Sequence, residues 1–486
     1  MKDNKYQVVI GLEVHAQLLT KSKLFCGDST AFGAAPNTQV SPISLAHPGT
    51  LPKMNKKAIE LAVKLGLALN CEIERNNYFA RKNYFYPDLP KGYQVSQHTA
   101  PVCKGGSLSI KVSGFAEKKV QLNRIHLEED AGKSIHDADP QYTCIDLNRA
   151  GVPLLEIVTE PCLHSAEEAF VFLSELRKLV RWLKVCDGNM EQGSMRCDAN
   201  ISIRLTGEST LGKRVEIKNL NSIRNVKKAI EIETERLISV VEKKETIIQE
   251  TRSFDADKNI TFSLRSKEDA DDYRYFPEPD LPPFQIDEKF IESVYSTMPV
   301  LPEQLKELYI NKYSLSEYDA EVICSEKPDA EFFESVTKYT TNYKAVANWM
   351  QGPLKFYCNE INISITAFPL KPETIGTLIH MVESGKVSFN NASTKIFQAL
   401  LSAPEKDPHA IAASLNLLQE SDVGAIESWV DDVINSMPGK VKEFKNGKKS
   451  LLGLFAGEIK KRSNGKADMQ VVNKLLLEKL SVDQST

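Results

Sequence analysis

Two short segments of this chain place acids and a histidine at alternate positions, the spacing that gathers side chains on one face of a β-strand. From Val8 to Leu18 one parity reads Val8, Ile10, Leu12, Val14, Ala16, Leu18 and the other Val9, Gly11, Glu13, His15, Gln17. Glu13 and His15 should therefore project side by side, roughly 7 Å apart, from the face opposite the core. Further on, Met195, Cys197, Ala199, Ile201, Ile203 and Leu205 alternate with Arg196, Asp198, Asn200, Ser202 and Arg204, which sets Asp198 between Arg196 and Asn200. Between the two lies Arg124-Ile125-His126-Leu127-Glu128-Glu129-Asp130, whose three consecutive acids repel one another unless a cation or basic partners relieve them. Together the three segments read as the ligand set of a phosphate-handling metal site. Polar-out alternation is also what any half-solvated strand shows, so a plain surface strand is the competing reading of each segment taken alone.

The elements that must position these residues change texture along the chain. Up to about residue 290, short alternating segments with Gly, Asn and Pro turns, and helical stretches such as 55–69 and 165–183, predict an α+β domain with much antiparallel sheet. The Pro-rich run Tyr275 to Pro283 closes it, and after Pro302 the pattern is helical almost throughout. A second break near 401–408 separates a helical middle from a C-terminal block of domain size. We therefore expect a mixed or antiparallel-sheet domain over 1–292, an all-helical domain over 293–406 and a small helical tail domain over 407–486.

Composition excludes several classes. A chain of 486 residues exceeds one core, and its net charge of −4 is no global signature of a nucleic-acid binder, so any RNA contact must be local. One stretch qualifies. Between Lys440 and Lys466 nine basic residues, including Lys448, Lys449, Lys460 and Lys461, face two acids, which suits a phosphate backbone or a solvated helical face alike. The start lacks the apolar run of a signal peptide, no apolar run could span a membrane, and nine cysteines without a C-x-x-C pair point to reduced thiols, all of which suits a cytoplasmic protein. Ala131-Gly132-Lys133-Ser134 ends like a phosphate-binding P-loop, but Leu127 stands where its first glycine belongs. With no dinucleotide fingerprint, G-x-S-x-G elbow or H-E-x-x-H helix, ATP would have to be handled by carboxylate-held metal and basic residues on a sheet.

Longer strings make the reading specific. The run Arg81 to Gln97 (RKNYFYPDLPKGYQVSQ), with Gly11 to His15, His126 to Lys133, Asp146 to Arg149, Arg196 to Asn200, Glu216 to Ser222 and Asp271 to Pro277, resembles the GatB/GatE family, the B-type subunits of tRNA-dependent amidotransferases, essentially end to end. The archaeal GatE branch usually carries an inserted domain, for which the passage from Pro283 to Pro302 leaves no room.

The resemblance implies a carbon–nitrogen ligase with glutamine as amido donor, acting with GatA and GatC subunits. ATP phosphorylates the side-chain carboxylate of Glu-tRNA(Gln), Asp-tRNA(Asn) or both, and ammonia from the A subunit displaces phosphate. It implies Glu13, His15, Glu128, Glu129 and Asp198 as catalytic acids and ligands for Mg²⁺ or Mn²⁺. Lys133, Arg149, Arg196 and Lys218, within or beside the shared strings, are candidates for ATP phosphate contacts, and Lys82 and Lys91 for the ammonia path. The fold implied is a cradle domain followed by helical modules, the tail YqeY-like and tRNA-binding. Many relatives carry a four-cysteine zinc site where this chain has Cys26, Asp28, Ser41 and Ser44, so no structural zinc is expected. A metal-dependent RNA phosphoesterase and a noncatalytic tRNA-binding subunit are the readings from other classes.

Overall fold

The computed structural model describes residues 5–266, 273–419, 423–463 and 466–481. Asp271 and Asp272 of the last family string lie outside them. The chain divides into two compact units, Met1–Leu301 and Pro302–Thr486. Among the described residues no helix is long and apolar enough to cross a membrane.

In chain order the strands of the first unit are β1 (Tyr6–Gln17), β2 (Glu72–Ile73), β3 (Asn76–Asn77), β4 (Ala80–Asn83), β5 (Tyr93–Ser96), β6 (Cys103–Lys104), β7 (Ser107–Ile110), β8 (Lys118–Glu129) and β9 (Lys133–Ile135). They continue as β10 (Cys144–Asp146), β11 (Pro153–Thr159), β12 (Met195–Leu205), β13 (Val215–Leu220), β14 (Glu250–Asp255), β15 (Ile260–Ser266), β16 (Arg274–Pro277) and β17 (Phe284–Gln285). Ten of them form one sheet in the order β15-β14-β13-β12-β1-β11-β8-β6-β2, with β7 also on β8, antiparallel except for β13 and β14. A three-stranded sheet, β16-β4-β5, and two ribbons, β9-β10 and β3-β17, account for the other named strands among the described residues.

The long sheet has one dry face and one polar face, as the alternation in β1 and β12 requires. Ile10, Leu12, Val14 and Ala16 from β1 and Cys197, Ala199 and Ile201 from β12 are fully buried beneath the helices α1 (Lys56–Ala68), α2 (Ala166–Trp182) and α3 (Ile223–Glu242). Each helix begins where an Asn or Ser accepts a hydrogen bond from its first turn: Asn55 from the Lys57 N–H, Ser165 from Glu168 and Ser222 from Asn225. With one face sealed, every odd residue of β1 from Gly11 to Gln17 is committed to the other.

The second unit is helical, and helices 423–436, 438–445, 452–462 and 469–481 enclose a core of their own around Ile426, Val430, Phe455 and Leu476. Elsewhere in this unit Asp319 is buried in the first turn of helix Glu317–Ile323, and its carboxylate meets the Lys344 Nζ at 2.6 Å, the Ser316 hydroxyl at 2.6 Å and the Gln351 amide at 3.0 Å. Burial opposes the charge, yet these donors bring the carboxyl down to about 2 from 3.8. A depressed acid stabilises the fold above its unfolded value and loses that contribution as pH falls through the folded one. Asp319→Asn should cost about 1–2 kcal/mol at pH 7, discounted for the exposed Lys344, and the difference should close between pH 4 and about 2 in denaturant titrations.

Candidate active site

On the polar face the strand registers bring distant residues into direct opposition. Glu13 lies opposite Asp198 and His15 opposite Arg196 across β1 and β12. His15 lies opposite Glu156 across β1 and β11, and Glu156 opposite His126 across β11 and β8. Directly opposed residues share a face, so Glu13, His15, His126, Glu128, Glu156, Arg196, Asp198 and, through β13, Glu216 and Lys218 form one charged floor.

Its centre is a His–Glu cluster. The Glu156 Oε2 is 3.4 Å from the His15 Nε2 and 3.1 Å from the His126 Nε2, and Glu128 is 3.8 Å and 3.4 Å from the same two nitrogens. His15, Glu128 and Glu156 each offer a ligand atom within 4.8 Å of the others. Burial pulls both imidazoles down, but the carboxylates overcome it: His15 is held above its ordinary value and His126 is raised to about 9. Against its own burial, Glu156 is held well below the usual carboxylate range by His126 and His15.

Beside this cluster, Asp198 pairs with the Lys218 Nζ at 2.5 Å, and Lys218 also reaches Glu216 at 3.1 Å. Glu13 accepts the Asn200 side-chain amide at 2.9 Å, and its carboxyl is pushed up by burial and then by Glu156, Glu216 and Asp198. Such crowding of like charge is what a divalent cation reverses, and carboxylates with one imidazole suit a hard ion such as Mg²⁺ or Mn²⁺. A cavity of about 360 Å³ adjoins Glu13 and Asn200, lined also by Gly11, Ser202, Lys213 and Arg214. The loop carrying those two cations lies so close to β12 that a Cβ on Gly212 would sit 2.2 Å from the Ile203 carbonyl oxygen.

The other residues singled out from the sequence fall elsewhere. Glu129, next to Glu128 on β8, points to the opposite side of the strand; it pairs with Lys91 and accepts the Val95 N–H at 2.9 Å. There it lines a second cavity, of about 210 Å³, with Lys91, the fully buried Lys23 and Asp130. Lys91 lies over the rings of Phe25 and Tyr93. Lys82 takes the polar side: in β4 it stands opposite Gln94, and Glu128 and Glu156 outweigh its burial and hold its ammonium above the ordinary value. Arg149 donates to the carbonyls of Ala131 and Gly132 at 2.9 and 2.6 Å, which ties down the turn after β8. Arg196 donates to both Asp130 oxygens at 2.9 Å. Lys133 is exposed on the β9-β10 ribbon.

Sequence reasoning missed Glu156, Glu216 and the role of His126. Glu156 did leave a signal, a lone acid inside the apolar strand Pro-Leu-Leu-Glu-Ile-Val-Thr. Lys213 and Arg214 left none, since only the loop's close approach to β12 gives them a site.

The four positions of the family's zinc site do meet, bound by hydrogen bonds. The Cys26 Sγ is 3.3 Å from the Ser44 hydroxyl, which donates to Asp28, and Asp28 also accepts the Ser41 N–H at 2.9 Å. Burial pushes the Cys26 thiol up, away from the thiolate that zinc requires. Elemental analysis of the purified chain should find zinc well below one per chain, and a stoichiometric amount would overturn this reading.

In the tail, Lys440 and Lys448 share Glu443 at 2.8 and 3.1 Å, and Lys449 lies over the Phe444 ring at 5.1 Å. Lys460 and Lys461 are exposed in the last turn of helix Leu452–Arg462.

A sheet whose polar face carries a His–Glu cluster, paired Asp and Lys, and a cavity lined by Glu13, Lys213 and Arg214 has the donor set of a site for a divalent cation and a charged ligand. Comparison with known proteins makes the class particular. The description "GatB/GatE catalytic domain" matches residues 8–292, and "GatB domain" matches residues 331–480. The chain is 47% identical over 477 residues to the B subunit of the aspartyl/glutamyl-tRNA(Asn/Gln) amidotransferase of Alkalilimnicola ehrlichii, covering 98% of this chain and 99% of that one. It is 48% identical to the proteins of the same name from Thermodesulfovibrio yellowstonii, covering 97% of this chain and 98% of that one, and Bdellovibrio bacteriovorus, covering 99% and 100%. The chain belongs to the GatB/GatE family.

Proposed function

We propose that this chain is the activating B subunit of a tRNA-dependent amidotransferase, working with GatA and GatC on Glu-tRNA(Gln), Asp-tRNA(Asn) or both. The observation that carries the reading is the convergence of Glu13, His15, Glu128, Glu156 and Asp198 on one sheet face beside a cavity lined by Lys213 and Arg214. The substrate carboxylate attacks the γ-phosphorus of ATP, the bond to the β–γ bridging oxygen breaks, and ADP leaves. Ammonia then attacks the acyl phosphate, expelling phosphate and losing a proton to give the amide.

The chain's residues act by position and charge. Lys213 and Arg214 hold the nucleotide's phosphates, with Lys218 as a further candidate and Arg196, already donating to both Asp130 oxygens, a weaker one. Lys133, exposed on its ribbon, and Arg149, committed to the Ala131–Gly132 turn, are weaker ones. His15, Glu128 and Glu156 would hold one Mg²⁺ or Mn²⁺, with Glu13 and Asp198 beside them, and the bound ion supplies charge neutralisation for phosphoryl transfer. Lys82, over the Tyr84 and Tyr273 rings and in the field of Glu128 and Glu156, would orient the carboxylate. Lys91 and Glu129 line the smaller cavity, which we assign to ammonia entry.

The test is conversion of ATP to ADP by the assembled subunits, dependent on mischarged tRNA. ATP-independent cleavage of RNA would instead identify a metal-dependent phosphoesterase, and neither activity a noncatalytic subunit. RNA binding by the tail, residues 407–486, is tested separately. Neutralising Lys448, Lys449, Lys460 and Lys461 should raise KM for mischarged tRNA and reduce the salt dependence of binding by up to about one unit of log–log slope per lost contact, with kcat changed much less. An unchanged slope and KM would make the stripe a solvated surface.

A further inference from the structure

The turn after β4 carries rings that the fold leaves in solvent. Phe85 is 82% exposed and Tyr86 50%, and of the exposed aromatic side chains these two adjoin the rings around Lys82. Their loop is nevertheless fixed. The Tyr84 hydroxyl donates to the Gln94 side chain at 3.2 Å, the Leu89 N–H donates to the Tyr86 carbonyl at 3.0 Å, Leu89 is buried, and the Asp88 carbonyl accepts the Gly132 N–H at 2.9 Å. Tyr86, Tyr84 and Tyr273 form an aromatic edge that leads to Lys82, with Phe85 next to it in the chain. Tyr84 packs edge-on against Tyr86 at 5.9 Å and Tyr273 at 5.4 Å, and the Lys82 ammonium lies 5.6 and 4.8 Å from the rings of Tyr84 and Tyr273. Lys82 in turn senses Glu128 and Glu156.

We propose that Phe85 and Tyr86 form the stacking platform for the 3′-terminal nucleobase of the aminoacylated RNA. The inference rests on the function proposed above and adds how the RNA end is seated. A substrate carboxylate seated on the polar face is tied to the terminal base through the amino-acid side chain, the ester and the ribose, which places the base at the rim of that face rather than on its floor, and the rim beside Lys82 is aromatic. With the loop backbone already held at Tyr86 and Asp88 and the neighbouring Tyr84 held by Gln94, ordering the two rings costs little beyond their own side-chain freedom, and Lys82 supplies a cation over the adjoining Tyr84 and Tyr273 rings. Aromatic stacking accepts any base face and adds affinity without reading sequence.

The experiment uses the assembled subunits and mischarged tRNA, intact or abasic at its terminal nucleotide. The variant Phe85→Ala/Tyr86→Ala should raise KM for intact tRNA by roughly tenfold with kcat at saturation changed much less. The wild type should lose a similar factor on the abasic tRNA, the variant should lose little more, and Phe85→Trp should retain affinity. Phe85 is exposed and Tyr86 half-exposed against Tyr84, so the melting temperature should fall only slightly. An unchanged KM in the alanine variant, or equal losses in wild type and variant on abasic tRNA, overturns the proposal. Failure to assemble with the partner subunits also overturns it, by showing that these rings contact protein. Absence of tRNA-dependent ADP formation in the wild type would defeat the proposed function itself, a result distinct from any of these.

Discussion

Replacing Glu156 by Gln, or Asp198 by Asn, is expected to lower tRNA-dependent ADP formation by roughly 10²–10³-fold, the scale of losing one charge-stabilising group at a reacting phosphoryl centre. Both changes are nearly isosteric, and neither touches the buried face of the sheet. Glu156→Gln removes the strongest counter-charge on His126, so that imidazole, now raised to about 9, should titrate nearer neutrality, which histidine NMR would report. Asp198→Asn leaves Lys218 with Glu216 as its remaining carboxylate partner. Glutamine hydrolysis by the A subunit and assembly of the complex should be nearly unaffected. Near-normal amidated tRNA from both variants would remove these residues from the catalytic set.

Lys91→Met should destabilise the cradle unit strongly while leaving its apolar core intact. It strands Glu129, only 5% exposed at its side chain, without its ammonium, and breaking a buried pair from one side costs about 3–5 kcal/mol. Lys23, whose ammonium lies in the field of Glu129, offsets part of this, so about 2–4 kcal/mol is expected in urea titrations. The double variant Lys91→Met/Glu129→Gln should recover much of the loss. The same pair separates the two neighbouring acids. Glu128→Gln should abolish tRNA-dependent ADP formation, whereas Glu129→Gln should largely spare it and impair amidation driven by glutamine more than amidation driven by added ammonium salt. A Glu129→Gln enzyme inactive in ADP formation would return Glu129 to the acids of the phosphoryl-transfer face.

That divergence shows how far the sequence reached. Period-two alternation assigns Glu13 and His15 to one face of β1 and Asp198 to one face of β12, because a strand cannot bury both parities against a single helical layer. It also distinguishes a sheet-rich first unit from a helical second one, and the long family strings identify the lineage. The same alternation separates Glu128 from Glu129, a distinction lost when three consecutive acids are read as a single cluster.

Alternation is silent on which strands become neighbours. That Glu13 faces Asp198, and that Glu156 joins His15 to His126, follows from pairing β1 with β12 on one side and β11 on the other, across sequence separations that no local pattern records. Arg149 and Arg196, candidates for phosphate because they sit within the family strings, were claimed by the Ala131 and Gly132 carbonyls and by Asp130, since a buried carboxylate or turn carbonyl must find a donor within the fold. Sequence by itself determined the lineage, the polar and apolar faces and the supply of acids. Tertiary structure decided which acids share a site, because a carboxylate's chemistry is set by the charges within a few ångströms of it, and those arrive from other strands.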